Sequence, residues 1–177
     1  MKLNHPLKNY ITTFFSILLL FISLAGHAQK LTSESDFRNY FDTHLDSLDQ
    51  LEGIWEVTTI QQFYTYDTLY DVIKHPKASK MAIIKNGDKF ESTPLDGQPI
   101  DVQFSTSDVA GVYMYKNYYK ETDSYSKASA AISKNGRMEF AYEFPEKYLR
   151  FKLEDSYEEG TRVMNNTSWV RIYPVNK

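Results

Sequence analysis

The residues best suited to chemistry are few and far apart in this chain. Beyond residue 28 it keeps only two histidines, His44 and His75, and it has no cysteine at all. A catalytic triad or a zinc site needs histidines that converge with partner side chains, and the lack of cysteine excludes a thiolate ligand or nucleophile. The sequence therefore predicts no metal site, no cofactor and no catalytic residue, which indicates a protein that is not an enzyme.

One group of acids could in principle do acid–base work. Glu154, Asp155, Glu158 and Glu159 cluster around Gly160. Paired carboxylates catalyse only when a pocket holds them at a defined separation, and this spacing differs from that of an EF-hand calcium loop. We interpret the cluster as a solvated turn.

Tyrosine is the unusual component, with 14 residues. Four crowd one predicted strand, 111–120: Tyr113, Tyr115, Tyr118 and Tyr119. In this strand Val112 and Met114 share one face, while the first two tyrosines share the other. If the face of Met114 is inward, the tyrosines lie outside and favour a protein partner.

Residues 1–28 have the pattern of a secretory signal peptide. Lys2 and Lys8 precede an apolar segment, Ile11–Ala25, and small residues at Gly26 and Ala28 predict cleavage before Gln29. The apolar segment has 15 residues, fewer than the roughly 18–20 that span a bilayer. We therefore expect an exported protein, periplasmic or extracellular, with no stable membrane anchor after cleavage.

The mature chain would be mildly acidic. Cleavage removes two lysines and no acid, which leaves 18 basic and 23 acidic residues and a net charge of −5 over 149 residues. Nucleic-acid binding normally requires a basic face, so we expect no nucleic-acid partner. The length fits one domain, divided into a helical segment, 29–52, and an all-β domain, 53–177.

The helical segment and the strands are indicated by different periodicities. Ser33 and Asp36 predict a helix start, and apolar residues then recur at spacings of three and four. From Gly53 onward the period is two, with strands predicted at about 54–66, 69–74, 81–85, 88–92, 100–105, 111–120, 127–133, 137–144, 148–153 and 167–173. Allowing for short segments, we expect eight to nine strands in an antiparallel up-and-down barrel preceded by a short helix.

Two Asn-Gly pairs predict tight hairpins. A two-residue turn at Asn86-Gly87 would pair Ile83 with Phe90. At Asn135-Gly136, a two-residue turn would set Ser133 opposite Met138, whereas a bulged turn would place Ile132 inward instead. The sequence leaves these two registers open.

Gly53-x-Trp55 lies between the helix and the first strand. With the eight-stranded meander, it resembles the opening of the lipocalin-like (calycin) superfamily, of which the chain would be an outlying, secreted, bacterial member. The resemblance implies that Trp55 closes one end of the barrel and that an arginine of the last strand, here Arg171, stacks over it. The family's Thr-Asp-Tyr motif and disulfide cysteines are absent from the chain.

The leading functional hypothesis is non-catalytic binding of a small apolar or amphipathic ligand inside the barrel. The inward residues that would form this site are Val57, Phe63, Ile83, Phe90, Phe104, Met114, Phe140, Tyr142, Leu149 and Phe151. The alternative is a structural or protein-interaction module with a filled barrel and a tyrosine-rich outer surface. A cavity of roughly 300 Å3 or more would favour the first hypothesis.

Overall fold

The computed structural model describes residues 31–96 and 101–175, so the predicted signal peptide and its cleavage site lie outside the described residues. Within these ranges the chain forms two α-helices, α1 (Glu34–Thr43) and α2 (Glu146–Leu153), and two short 3-10 turns at Lys120–Thr122 and Glu154–Ser156. It also forms eight strands: β1 (Gly53–Thr65), β2 (Thr68–Asn86), β3 (Lys89–Pro94), β4 (Val102–Thr106), β5 (Val112–Tyr119), β6 (Ser124–Ile132), β7 (Arg137–Glu143) and β8 (Thr161–Tyr173).

The eight strands close into an antiparallel barrel in simple chain order. Closure is made by β1 and β8, which pair along their whole length from Ile54 opposite Tyr173 to Thr65 opposite Thr161. The predicted fold class, an eight-stranded up-and-down barrel after a short helix, is confirmed. We call the end that holds Trp55 and Arg171 the closed end, and the end where β8 begins the open end.

Helix α1 begins where the sequence places its cap. The Ser33 hydroxyl accepts a hydrogen bond from the Asp36 N–H at 3.2 Å, and the Asp36 carboxylate accepts one from the Ser33 N–H at 2.9 Å. This reciprocal capping box satisfies two donors that a helix start otherwise leaves open. Phe37 and Phe41, one helical turn apart, are buried, and the Phe41 ring lies 6.4 Å from that of Tyr173 on β8. The helix is thereby fixed beside the end of the last strand.

The region predicted as two strands, at 69–74 and 81–85, is one long strand, β2. His75 and Pro76 lie at a β-bulge in β2. Val57 of β1 pairs with Ser79, and two residues further along β1 Thr59 pairs with His75, four residues from Ser79 on β2. Lys77, inside the bulge, has φ +49°. In the described residues β3 pairs with β2 only from Met81 to Asn86, so the other edge of the bulged half carries no ladder. A proline is tolerated there because a free edge needs no N–H donor.

Both Asn-Gly hairpins differ from a two-residue turn centred on the pair. In the first, Asn86 pairs with Lys89, so the turn residues are Gly87 and Asp88, and Phe90 lies opposite Lys85 rather than Ile83. In the second, Ile132 pairs with Met138 across a longer turn. The longer turn places Ile132 partly buried against the core, which is the second of the two registers left open by the sequence.

The segment predicted as a strand at 148–153 is helix α2. Its alternating apolar residues fit a strand, but Leu149 and Leu153 are also one helical turn apart. Glu146 and Arg150 form an i,i+4 ion pair at 2.6 Å, and Pro145 precedes the first helical residue in extended conformation. Leu149 is buried, whereas Phe151, predicted to face inward, is 45% exposed.

Strand β5 faces the opposite way from the predicted orientation. Tyr113, Tyr115 and Tyr119 are buried, and Met114 is 40% exposed. Rings that each offer a large apolar area thus occupy the interior, and the smaller aliphatic side chains face out. The tyrosine-rich outer surface predicted on this strand is therefore wrong, and so is the inward placement of Met114.

Candidate binding site in the barrel interior

The closed end is sealed by Trp55 under Arg171. Trp55 is fully buried, and its indole N–H donates to the Leu51 carbonyl at 2.9 Å. The Arg171 guanidinium carbon lies 4.9 Å from the centre of the indole ring, which is the cation–π arrangement that the resemblance implies. A Cβ on Gly53, whose φ is +147°, would come within 2.5 Å of the Tyr173 carbonyl oxygen. Glycine is thus required where β1 and β8 meet.

Charged and hydroxyl groups lie around the Trp55–Arg171 pair, which we call the plug. The buried Glu52 carboxylate accepts the N–H groups of Asp49 at 2.8 Å and Lys85 at 3.0 Å. The Asp49 carboxylate accepts the Tyr113 hydroxyl and the Leu51 N–H. Burial raises the pKa of Asp49, but these hydrogen bonds together with Lys85 outweigh it, so the pKa lies below its ordinary value. These acids hold the segment before β1 in place and point to a structural role.

Aromatic rings fill the half of the barrel next to the plug. The Phe104 ring lies 5.4 Å from Tyr115, 6.4 Å from Phe140 and 5.6 Å from Trp169, each edge to face. Edge-to-face contacts place the positive ring edge on the negative ring face. This half of the interior is a packed core.

A cavity of about 90 Å3 lies beyond the aromatic core. Its wall combines apolar groups with hydroxyls; the lining residues are Val57, Thr59, Ala78, Ser79, Met81, Val102, Tyr115, Tyr142, Thr167 and Trp169. Ala78, in the bulge of β2, is exposed, so the cavity lies next to solvent on that side. Its volume is below the roughly 300 Å3 at which ordinary ligand pockets begin.

Neutral hydroxyl and amide groups line the interior towards the open end. The Asn117 amide donates to the Tyr119 hydroxyl at 3.1 Å, which lies 3.2 Å from the Ser126 hydroxyl. Burial raises the pKa of Tyr115 well above its ordinary value, with a further contribution from Tyr142. Burial also raises the pKa of Tyr142. These phenols are therefore neutral at physiological pH and act as hydrogen-bonding groups.

Asn165 is the residue that sequence reasoning missed. It is 1% exposed, and neither its amide nitrogen nor its amide oxygen has a hydrogen-bond partner among the residues that the structure describes. The signal was available in the alternation of β8, where Thr161, Val163, Asn165, Thr167 and Trp169 are all buried. The predicted start of the last strand at Thr167 left Asn165 outside it.

Helix α2 packs near the open end. The Tyr148 ring lies 4.2 Å from that of Tyr119 and 5.3 Å from that of Phe144. Leu149, on the same helix, is 5% exposed. These contacts join the helix to the polar interior rather than to the aromatic core.

The ten residues predicted to face inward occupy different parts of the structure: the cavity wall, the core, helix α2 and the surface. Val57 and Tyr142 line the cavity, and the buried core contains Ile83, Phe90, Phe104 and Phe140. Phe63 is half-buried on β1, with its ring 6.2 Å from Tyr70. Leu149 is buried on α2 instead of on a strand, and Met114 and Phe151 are on the surface.

No group of three or more His, Cys, Asp or Glu side chains in the described residues could hold a metal ion. Within the same residues, every helix is too short or too polar to cross a membrane. No protein family, curated protein or solved structure matches this chain.

Proposed function

We propose that the protein is an exported, non-catalytic, lipocalin-like barrel that binds a small molecule in its interior cavity. The observation that carries this proposal is the buried Asn165 amide, for which the described residues supply no hydrogen-bond partner. An unsatisfied buried amide costs about 1–3 kcal/mol. A barrel that only had to pack its core would fill this position with an apolar side chain, as β8 does at Val163.

The lipocalin-like assignment is supported by the closed end. Trp55 is buried at the start of β1, and Arg171 of β8 lies over its ring. The short helix before β1 and the closed meander of eight strands agree with that architecture. Since Asp49, Glu52 and Arg171 are engaged in closing this end, ligand binding belongs to the other half of the interior.

The volume of the cavity limits the size of the ligand that can enter it. At about 90 Å3, the cavity is less than a third of the roughly 300 Å3 at which ordinary ligand pockets begin. The ligand is therefore either very small or a longer molecule of which only a head group enters. Its surroundings of hydroxyls beside Val57, Met81 and Trp169 suit a head group with both polar and apolar faces.

A protein-interaction module is the second candidate, and the free half of β2 favours it. Leu69, Tyr70, Val72 and Ile73 are all at least 40% exposed there. Four exposed apolar side chains within five residues of a strand are unusual for a surface that faces only water. This candidate needs no cavity.

Native mass spectrometry of the protein purified from its own host tests the leading proposal. We expect a small molecule that is retained under native conditions and lost on unfolding. Ser79→Leu fills the cavity and should reduce the retained fraction, whereas Ser129→Leu, an exposed position on β6, is the matched control. An empty wild-type protein would contradict ligand binding and leave the interaction module as the better account.

A further inference from the structure

The Asn165 amide is a hydrogen-bonding group built into the barrel without a partner. It is 1% exposed, and within residues 31–96 and 101–175 neither of its polar side-chain atoms has a hydrogen-bond partner. Buried side-chain amides are almost always paired, because an unmade hydrogen bond in the interior destabilises the folded state. A buried amide without a partner can form its hydrogen bonds with a group of a bound ligand.

Strand pairing places Asn165 next to the cavity. Its cross-strand neighbours are Tyr142 on β7 and Gln61 on β1. Directly opposed residues in an antiparallel pair carry their side chains on the same face, with Cβ atoms about 5 Å apart. Tyr142 lines the cavity, as does Thr167, two residues further along the same face of β8. Asn165 itself is not part of the cavity wall; it lies beside the wall residues Tyr142 and Thr167, towards the open end.

The cavity has a neutral lining. Hydroxyls come from Thr59, Ser79 and Thr167, and phenols come from Tyr115 and Tyr142, whereas no charged side chain of the described residues is part of the wall. An ionised ligand would lose its hydration here without gaining an opposite charge, which is costly in an apolar interior. The lining therefore selects a neutral group.

We infer that a ligand held in the cavity extends past Tyr142 and Thr167 to Asn165, whose amide determines specificity by pairing with a neutral head group that presents a hydrogen-bond donor beside an acceptor. A carboxamide offers an acceptor oxygen and a donor nitrogen side by side, and asparagine uses both together when it reads the edge of adenine. The complementary head groups are a primary amide, a cis-lactam and a urea. The inference rests on the proposed ligand-binding function.

The first experiment uses three small probes of similar shape. Acetamide carries both a donor and an acceptor, acetone lacks the donor, and acetate carries a charge. In two-dimensional NMR of the 15N-labelled protein, acetamide should shift the Asn165 side-chain signals with saturable, millimolar affinity. Because it lacks one neutral hydrogen bond, acetone should bind about tenfold more weakly or worse, and acetate should not bind.

Two variants separate recognition from structure. Asn165→Leu keeps a similar size but removes the amide, so it should raise the melting temperature of the empty protein while acetamide binding, followed by the signals of neighbouring residues, falls at least about tenfold. Asn166→Leu is the control: its amide donates to Gln62 at 2.7 Å on the other face of β8. It should lower the melting temperature and leave acetamide affinity unchanged.

Three outcomes would overturn the inference. One is equal binding of acetamide and acetone; another is unchanged acetamide affinity in Asn165→Leu; the third is a lower melting temperature in that variant. If any of these occurs while the native protein retains a host molecule, ligand binding stands and only the role of Asn165 is wrong. If the native protein is empty as well, both proposals fail.

Discussion

Replacing Trp55 with Ala tests the plug at the closed end. The indole is fully buried, donates to the Leu51 carbonyl and lies under Arg171. Truncation of a buried Trp to Ala costs about 3–5 kcal/mol, and the cation–π contact accounts for about 0.5–2 kcal/mol of that loss. Because domains of this size are stable by only about 5–15 kcal/mol, the variant should unfold at much lower denaturant concentration.

Urea unfolding followed by far-UV circular dichroism measures this loss without relying on tryptophan fluorescence. The dependence of the unfolding free energy on urea should keep its slope, while the midpoint falls. Val170→Ala is the control, since Val170 is 42% exposed on β8, and it should cost less than about 0.5 kcal/mol. If Trp55→Ala is too unstable to purify, Trp55→Phe keeps a ring and allows the same comparison.

The contact with Arg171 can be isolated by a double-mutant cycle. Trp55→Phe and Arg171→Met are made singly and together, and the coupling free energy should be about 0.5–2 kcal/mol. A loss below about 0.5 kcal/mol for Trp55→Ala, equal to that of the Val170 control, would refute the reasoning. It would also remove the main support for the lipocalin-like assignment.

Three further predictions concern the same interior. Gly53→Ala should lower the free energy of unfolding, measured in urea, by about 1–3 kcal/mol, because the new Cβ would collide with the Tyr173 carbonyl oxygen. An unchanged urea midpoint would contradict that close approach. Since the folded pKa of Asp49 lies below its ordinary value of 3.8, its stabilising contribution is present above that value and is lost as the pH falls through the folded pKa. The melting temperature should therefore fall less steeply on acidification in Asp49→Asn than in the wild type. An identical dependence of the melting temperature on pH in the two proteins would refute this. Burial raises the pKa of Tyr115 and Tyr142 above 10.0, so the stability they provide is present below pH 10 and is lost as the pH rises through their folded pKa values. Tyrosinate absorbance should show these two residues ionising at higher pH than the exposed tyrosines. A single titration shared by all tyrosines would contradict their burial.

The barrel itself was predictable from the sequence because its determinants are local. Period-two alternation, turn residues between short apolar runs and Gly53-x-Trp55 each specify structure within a few residues. The capping box of α1 is of the same kind: Ser33 and Asp36 are near neighbours. These features depend little on what packs against them.

The facing of β5 and the helical state of 146–153 depend on distant parts of the chain. Both faces of β5 carry apolar side chains, so alternation alone does not say which is buried. Tyr113 is drawn inward by Asp49 and by the Phe90 ring, 5.4 Å away and perpendicular to it. In α2, the spacing of Leu149 and Leu153 fits either period, and the choice is made by packing against Tyr119 and β8.

The candidate site was the least predictable part. Six of the ten predicted residues do lie in the cavity wall or the core, but apolar character alone does not distinguish a lining residue from a packed one. Asn165 would be found only by extending the alternation of β8 back towards Thr161. A polar residue at an inward position is the signal that apolar patterning overlooks.

The free edge of β2 limits how other chains can approach this protein. An exposed strand edge is a template on which a second chain can add and start aggregation. Here Pro76 supplies no donor, the N–H of Val72 is already bonded to the Asp71 carboxylate at 2.8 Å, and the bulge at Lys77 breaks the regular repeat. The edge thus discourages main-chain pairing while Leu69 and Tyr70 remain exposed. Any protein that binds this strand must therefore recognise its side chains rather than extend its sheet.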